Sequence, residues 1–276
     1  MSAILTADYE FICRLVYQHS RINLGPDKAE LVSSRVQKRL RALGLNSIET
    51  YCDLLRSPDG GQEMTDLLDV ISTNVTEFFR EAKHFDFLEQ VALPDWHQRG
   101  ANDSRNVFRA WSAACSSGEE PYSIAMTLAE FCRQRPGCEW RLEASDISTR
   151  MLERAGSGVY RADRVRLPAH EMLGRYFQRG VGASQGYYRV KKELQGRVNF
   201  RHLNLFHWPY PFTEKMHAIF CRNVMIYFNR ETQDQLVPRL ADQLVPGGYL
   251  FVGHSESLIG LDHKLKCVRA SVYRRE

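Results

Sequence analysis

From residue 106 onward the apolar residues fall into short runs that alternate with helical stretches. NVFRAWSA (106–113), PYSIAMTLAEFCRQ (121–134), WRLEASD (140–146), TRMLERAG (149–156), HAIFCRN (217–223), TQDQLVPRLADQLVPGG (232–248) and YLFVGHS (249–255) carry the alternation. Such a pattern commits a chain to a mostly parallel α/β sheet with helices on both faces, because parallel neighbours are joined only by crossovers long enough to hold a helix. Ligands of such sheets sit at the carboxyl ends of the strands. Upstream, YEFICRLVYQ, KAELVSSRVQKRLRALGL, SIETYCDLLRS and QEMTDLLDVISTNV all repeat apolar residues at three- and four-residue spacing, and the second of them is expected to end at Gly44. The expected organisation is a small all-helical unit over 1–79 and a Rossmann-like α/β unit over 80–276. A chain of 276 residues, 43% of them hydrophobic, can fill one large core and a satellite.

Two stretches depart from the alternation. PDWHQRGANDSRN (94–106) is polar, carries Pro and Gly, and reads as a linker or surface loop. Between Gly156 and Asn204, glycines 180, 182 and 186 followed by YYRVKKEL and GRVNFRHL read as short antiparallel strands, a β insert over about 157–200.

The start MSAILTADYEF has no basic region leading into an apolar run, and no segment approaches the roughly 18 apolar residues of a membrane span, so a cytoplasmic protein with no membrane insertion is expected. Seven scattered cysteines read as reduced thiols, and nine histidines form no HExxH pattern, so no metal is expected. A net charge of +4 is too mild to imply a nucleic-acid binder.

The turn SAACSSGEEPYSIA (112–125) occupies the place where dinucleotide enzymes carry a glycine-rich phosphate loop, but it keeps only Gly118 and adds Glu119 and Glu120. Two carboxylates would repel a phosphate. Pro121 suits a first helical turn, so the helix is expected to begin there. The ligand should lack phosphate and bring donors or positive charge, as S-adenosylmethionine does. Asp146, ending WRLEASD, is placed to accept both ribose hydroxyls. The plainer alternatives are that the glutamates complement a helix dipole and that Asp146 caps a helix.

These residues resemble those of the chemotaxis receptor glutamate methyltransferases, the CheR family. The likeness runs through QKRLRALG (37–44), STNVTEFFRE (72–81), WSAACSSGEEPYSIA (111–125), ASDIS (144–148), RYFQRGVG (175–182), IFCRNVMIYF (219–228) and GGYLFVGHSES (247–257). It implies methyl transfer from S-adenosylmethionine, leaving S-adenosylhomocysteine, to glutamates on the cytoplasmic helices of chemoreceptors. It further implies that Asn74, Thr76 and Arg80 reach the cofactor from the segment joining the two units. Glu119 and Glu120 would both lie at the cofactor, Glu120 before Glu119 as the holder of its amino-acid end, with Asp146 at the ribose and Asn204 with Leu205 at the adenine. Arg222 and Asn223 would sit at a strand's carboxyl end, with the Tyr227 hydroxyl near the sulfonium and Arg80 orienting the incoming carboxylate. Without the likeness, Asn74 and Thr76 read as helix caps, Arg80 as a surface ion pair and Tyr227 as a core aromatic.

Two basic surfaces bear on partners. Arg35, Lys38 and Arg39 share one helix face, with Arg41 nearby, and the resemblance makes Arg35 and Arg41 contacts for an acidic receptor helix. Few aromatics interleave with these charges, so nucleic acid is not the expected partner. In RGVGASQGYYRVKKEL (179–194), Gly180, Gly182 and Gly186 leave the backbone uncrowded for an added strand, while Arg179 and Arg189 offer charge. The resemblance makes this insert the dock for a receptor's C-terminal pentapeptide; a solvated hairpin is the plain alternative. The competing functions are a methyltransferase of RNA or a small molecule, and a cofactor-binding adaptor that transfers nothing.

Overall fold

The computed structural model describes residues 6–99 and 107–276. Four helices, α1 (Thr6–Ser20), α2 (Ala29–Leu43), α3 (Ile48–Arg56) and α4 (Gly60–Ile71), form the helical unit. In α2 the four-residue spacing of Val32, Val36 and Leu40 makes one apolar stripe, packed with Ile12, Val16, Tyr51 and Leu67 into a core of their own. Gly44 closes α2 in the left-handed region at φ 67°, and Ser47 caps α3 by accepting from the Thr50 N–H. Two carboxylates of α4 are buried: Glu63 accepts from Tyr51 Oη at 2.6 Å and from two nitrogens of Arg39 at 2.9 and 2.6 Å, whereas Asp69 leaves Oδ1 unpaired.

Residues 72–82 cross to the α/β unit largely without regular structure. Helix α5 (Lys83–Phe87) then runs through a π-helical turn at Leu88–Ala92 into α6 (Leu93–Arg99). The expected linker at 94–106 is therefore helical as far as Arg99, with 100–106 lying outside the described residues. Trp96 is buried edge-on against Phe108, and Asp95 accepts from Tyr249 Oη at 2.8 Å, so apolar and polar contacts both pin α6 to the sheet. The junction between the units is 72–82 instead.

The main sheet is built from β1 (Val107–Ala113), α7 (Glu119–Arg133), β2 (Glu139–Asp146) and α8 (Thr149–Ser157), interrupted by the insert, then resumed. The insert holds β3 (Val159–Arg161), α9 (His170–Tyr176), β4 (Phe177–Arg179), β5 (Tyr187–Val190) and α10 (Lys192–Gln195). The chain returns through β6 (Val198–His202), β7 (Met216–Cys221), α11 (Arg230–Gln243), β8 (Leu244–Phe251), β9 (Leu265–Arg269) and β10 (Val272–Arg275). Seven strands lie in the order β6-β2-β1-β7-β8-β10-β9, parallel as far as β8, with β10 antiparallel to both its neighbours. Along β1 the two-residue period sends Phe108 and Ala110 into one core with α7, and Trp111 and Ala113 into the other with α11.

Two expectations need correction. GRVNFRHL does not belong to the insert: β6 pairs parallel with β2, Leu142 opposite Val198, as an edge of the main sheet. Its short apolar run does not distinguish a parallel edge from a hairpin arm. The small antiparallel sheet holds three strands in the order β3-β5-β4. The second correction concerns thiols. Cys132 and Cys138 are disulfide-bonded, because the end of α7 and the approach to β2 bring their Cα atoms 5.0 Å apart, within bridging range. No described helix is long and apolar enough to cross a membrane.

Candidate active site

The order β2-β1-β7 means that the chain leaves β1 toward one edge of the sheet and β7 lies toward the other, which opens a crevice at their carboxyl ends. A cleft lined by residues of both units occupies it. Its floor is the turn after β1, where Ala114 and Ser116 take left-handed backbone at φ 66° and 49° and Gly118 stands at 97°. Glycine is required there: a Cβ would come within 3.0 Å of Ala155 Cα. Helix α7 starts at Glu119, two residues before Pro121, since Gly118 already supplies the N-cap.

The two glutamates part company at this point. Glu120 lines the cleft, with Oε1 accepting from Ser112 Oγ at 2.7 Å and Oε2 from Arg222 Nη1 at 3.1 Å. Glu119 is buried but does not line it, and accepts from Ser117 Oγ at 2.7 Å. Asp146 lies in the cleft wall, Oδ2 accepting from the Ser116 N–H at 2.8 Å and Oδ1 from the Ser148 N–H at 2.9 Å. Burial pushes the carboxyls of Glu120 and Asp146 above their usual range, despite Arg222 beside the first and backbone N–H groups on the second. Each carboxylate oxygen has about two acceptor sites and uses one, so both groups keep capacity for a ligand's donors.

The junction 72–82 forms the adjoining wall. Asn74, Thr76 and Arg80 all line the cleft. Asn74 Nδ2 donates to Ser72 Oγ at 3.0 Å, and Arg80 Nη1 donates to the Val75 carbonyl at 2.9 Å. Phe79 and Glu81, on either side of Arg80, are left-handed at φ 53° and 58°. The α/β unit holds the turn at two points: the Phe79 N–H donates to Ser123 Oγ on α7 at 2.9 Å, and Arg222 donates to the Arg80 carbonyl. The Arg222 side chain, 1% exposed, also pairs with Glu81 at 3.0 Å and Glu120 at 3.1 Å, so one guanidinium ties the junction to α7. Burial acts to raise the Glu81 carboxyl, but Arg222 prevails and holds it below the usual range.

The third wall follows β7. Asn223 is left-handed at φ 57°, and Val224, Tyr227 and Phe228 join it in the lining. The buried Glu256 fixes this loop by accepting from the N–H groups of Asn223 at 2.8 Å, Gly253 at 2.5 Å and Ile226 at 3.2 Å. Leu205 is buried in the lining. Asn204, also in the lining, spends its side chain locally, donating to the His19 carbonyl at 2.6 Å and accepting from the Phe206 N–H at 3.0 Å. The helical unit closes the top through Ile22, Leu24, Lys28 and Leu31, with Lys28 Nζ 5.7 Å from the centre of the Tyr227 ring. The Asn23 N–H donates to the Tyr227 carbonyl at 2.8 Å.

The remaining expected contacts lie outside the cleft. Arg35 is half-buried and donates to the Val70 carbonyl at the end of α4, and Arg39 is spent on Glu63 and Asp66, so only Lys38 and Arg41 of that basic group are exposed. In the insert Arg179 ends the outer strand β4, and Arg189 lies on the central β5, exposed and opposite Val159 and Gln178. Gly180 is packed so that a Cβ would fall 2.0 Å from the Ser184 carbonyl oxygen, while Gly182 and Gly186 hold φ 58° and 86°.

Sequence reasoning did not assign Glu81 and Glu256, although both stand inside quoted motifs. A lone Glu carries no signal until its buried partners are known. The roof from the connection between α1 and α2 and the start of α2 was equally invisible, because all of its named residues but Lys28 are ordinary apolar positions.

A site with two buried carboxylates and one paired arginine suits a ligand with hydroxyl and ammonium donors. Comparison with known proteins gives the same direction. The family described as the SAM binding domain of CheR methyltransferase matches residues 74–274, and that described as its all-alpha domain matches residues 7–72. A chemotaxis protein methyltransferase of Salmonella typhimurium is 41% identical over 271 residues, covering 98% of this chain and 91% of the relative. One from Escherichia coli is also 41% identical over 98% of this chain and 91% of its own. One from Borreliella burgdorferi is 37% identical over 96% and 92%.

Proposed function

The chain belongs to the CheR methyltransferase family, and from that premise we propose how its cleft serves as an S-adenosylmethionine-dependent chemotaxis protein methyltransferase acting on chemoreceptors. The reaction we assign is esterification of glutamate side chains on receptor cytoplasmic helices, on the cytoplasmic side of the membrane. The carrying observation is the pair of buried cleft carboxylates, Glu120 and Asp146, each with an acceptor to spare. In this reading Asp146 takes the ribose hydroxyls, Glu120 the ammonium, and Leu205 beside Asn204 the adenine. Asn74, Thr76, Arg222 and Asn223 complete the wall. Glu119 supports the turn from outside the cleft. The units of this reading are a helical unit over 1–79 and a methyltransferase unit over 80–276.

Bound there, S-adenosylmethionine supplies an electrophilic methyl group on a sulfonium. The residues need supply no strong base, because a glutamate with pKa near 4.3 is already ionised at neutral pH. Their work is alignment and exclusion of water, for which the roof from the connection between α1 and α2 and the turn at 72–82 are suited. Arg80 spends one donor on Val75 and keeps others for the incoming carboxylate, while Tyr227 fixes the methyl donor. Arg80→Ala and Tyr227→Phe should each lower kcat by roughly tenfold, about 1.4 kcal/mol, with S-adenosylhomocysteine affinity little changed. Single-turnover methylation beside calorimetry separates the two; full turnover in both variants at saturating cofactor removes these roles. The reaction itself is tested by methyl incorporation from labelled cofactor into receptor fragments, with base-labile methanol release identifying an ester.

Substrate delivery is assigned to two surfaces. Arg41 offers exposed charge on α2 to an acidic receptor helix, and Arg35 shapes that face from its place against Val70. The insert, with Arg179, Gly180, Gly182, Gly186 and Arg189, takes the receptor's C-terminal pentapeptide as an added strand. Its outer strands β3 and β4 each keep one edge without a strand partner in the small sheet, which supports that use. Tethering there raises effective concentration to about the millimolar range for a short linker. Calorimetry with receptor-tail peptides should show binding with or without cofactor, weakened about tenfold or more in Arg189→Glu. Unchanged binding in that variant would leave the helical unit as the docking surface.

A further inference from the structure

At the edge of the cleft stands a group of side chains that the transfer reaction leaves unused. His84 on α5 is 1% exposed, and neither ring nitrogen has a hydrogen-bond partner. Orphaned buried nitrogens of this kind are uncommon, because each costs about 1 to 3 kcal/mol of lost hydration. The ring is nonetheless surrounded by ligand chemistry. Its Nδ1 lies 3.3 Å from Glu81 Oε2, and it meets the ring of His254 edge to face with centroids 5.0 Å apart. One donor atom from each of Glu81, His84 and His254 lies within 4.8 Å of the other two.

We propose that Glu81, His84 and His254 form a binding site for a divalent transition metal ion, with Zn²⁺ the best match. Imidazole nitrogens and a carboxylate are the donor set Zn²⁺ prefers when three protein ligands leave a fourth position open. Bonds of about 2.0 to 2.1 Å in a tetrahedron place neighbouring donors roughly 3.3 Å apart, which is the spacing already present between His84 and Glu81. His254 is exposed, so its ring turns in to close the third edge and the fourth position faces solvent. Glu81 and His84 stand three residues apart, but His254 comes from a distant segment, so no sequence motif announces all three. Arg222 uses the same Glu81 oxygen at 3.0 Å, so the ion and the guanidinium compete for it. That competition sets a moderate affinity, and it means that the ion, once bound, loosens the anchor between the junction and α7.

The test is titration of the full-length protein, stripped with chelator, with Co²⁺ followed by Zn²⁺. The expected result is one Co²⁺ per chain with the visible absorption of a four-coordinate site, displaced by Zn²⁺. Affinity should fall at least tenfold in both His254→Ala and His84→Gln. His254→Ala alters an exposed side chain, so loss of binding there with an unchanged circular dichroism spectrum is not loss of fold. Absence of binding, wild-type affinity in His254→Ala, or loss of binding on changing the exposed Cys267 to serine would each overturn the site.

Discussion

Arg222→Met abolishes measurable binding of S-adenosylhomocysteine and lowers Tm by on the order of 10 °C. The side chain is 1% exposed and pairs with two carboxylates from different segments, Glu81 and Glu120. Removing it strands both in a buried setting, a loss of about 3 to 5 kcal/mol rather than the small value of a surface pair. At this chain length each kcal/mol moves Tm by about 2 to 4 °C. The pH dependence identifies the cause. Burial already raises the Glu120 carboxyl while Arg222 opposes it, so without Arg222 it rises further. A carboxyl whose folded pKa exceeds its unfolded one destabilises the fold when ionised, and the cost fades as pH falls and the group protonates. The Tm gap between wild type and variant should therefore narrow on going from pH 8 to pH 5.5. Thermal denaturation across that range decides the matter; a constant gap means that Arg222 acts through packing alone.

Asp146→Ala weakens S-adenosylhomocysteine binding by about 1 to 3 kcal/mol, roughly five- to 150-fold. Two losses combine. The ligand's hydroxyls lose an acceptor, and the N–H groups of Ser116 and Ser148 lose theirs inside the protein. Asp146→Asn keeps one carbonyl oxygen and should fall between the two in calorimetry. The wild-type protein should reject NAD, whose pyrophosphate would face the Glu120 carboxylate. Unchanged affinity in Asp146→Ala, or tight NAD binding, would relocate the cofactor.

The architecture was legible where a residue's type dictates its backbone or its face. Gly44 marked the end of α2, the alternation after residue 106 marked the sheet, and the glutamates after Gly118 argued against a phosphate loop, although the N-cap at Gly118 itself was missed in favour of a start at Pro121. It was illegible where the deciding neighbour is distant in sequence. Arg35 and Arg39 lie among the basic residues of one helix, yet both turn to acceptors on or at the end of α4. Cys132 and Cys138 looked like loose thiols until α7 and β2 set their separation. Glu119 and Glu120 are adjacent, but the roughly 100° between successive helical positions sends only the second into the cleft.

Among the described residues seven non-glycine residues adopt positive φ, and five of them, Phe79, Glu81, Ala114, Ser116 and Asn223, stand in or beside the cleft. Each holds a conformation that costs an L-amino acid about 1 to 2 kcal/mol. That makes the cleft a reservoir from which thermostability can be drawn. Glycine at Ala114 or Ser116 would relieve the strain, at the cost of a more disordered unfolded chain and a looser loop, whereas glycine at Glu81 would also strand the buried Arg222. Variants selected only for heat resistance should accumulate changes here and lose turnover as they do, because the backbone that is expensive to hold is the backbone that shapes the catalytic walls.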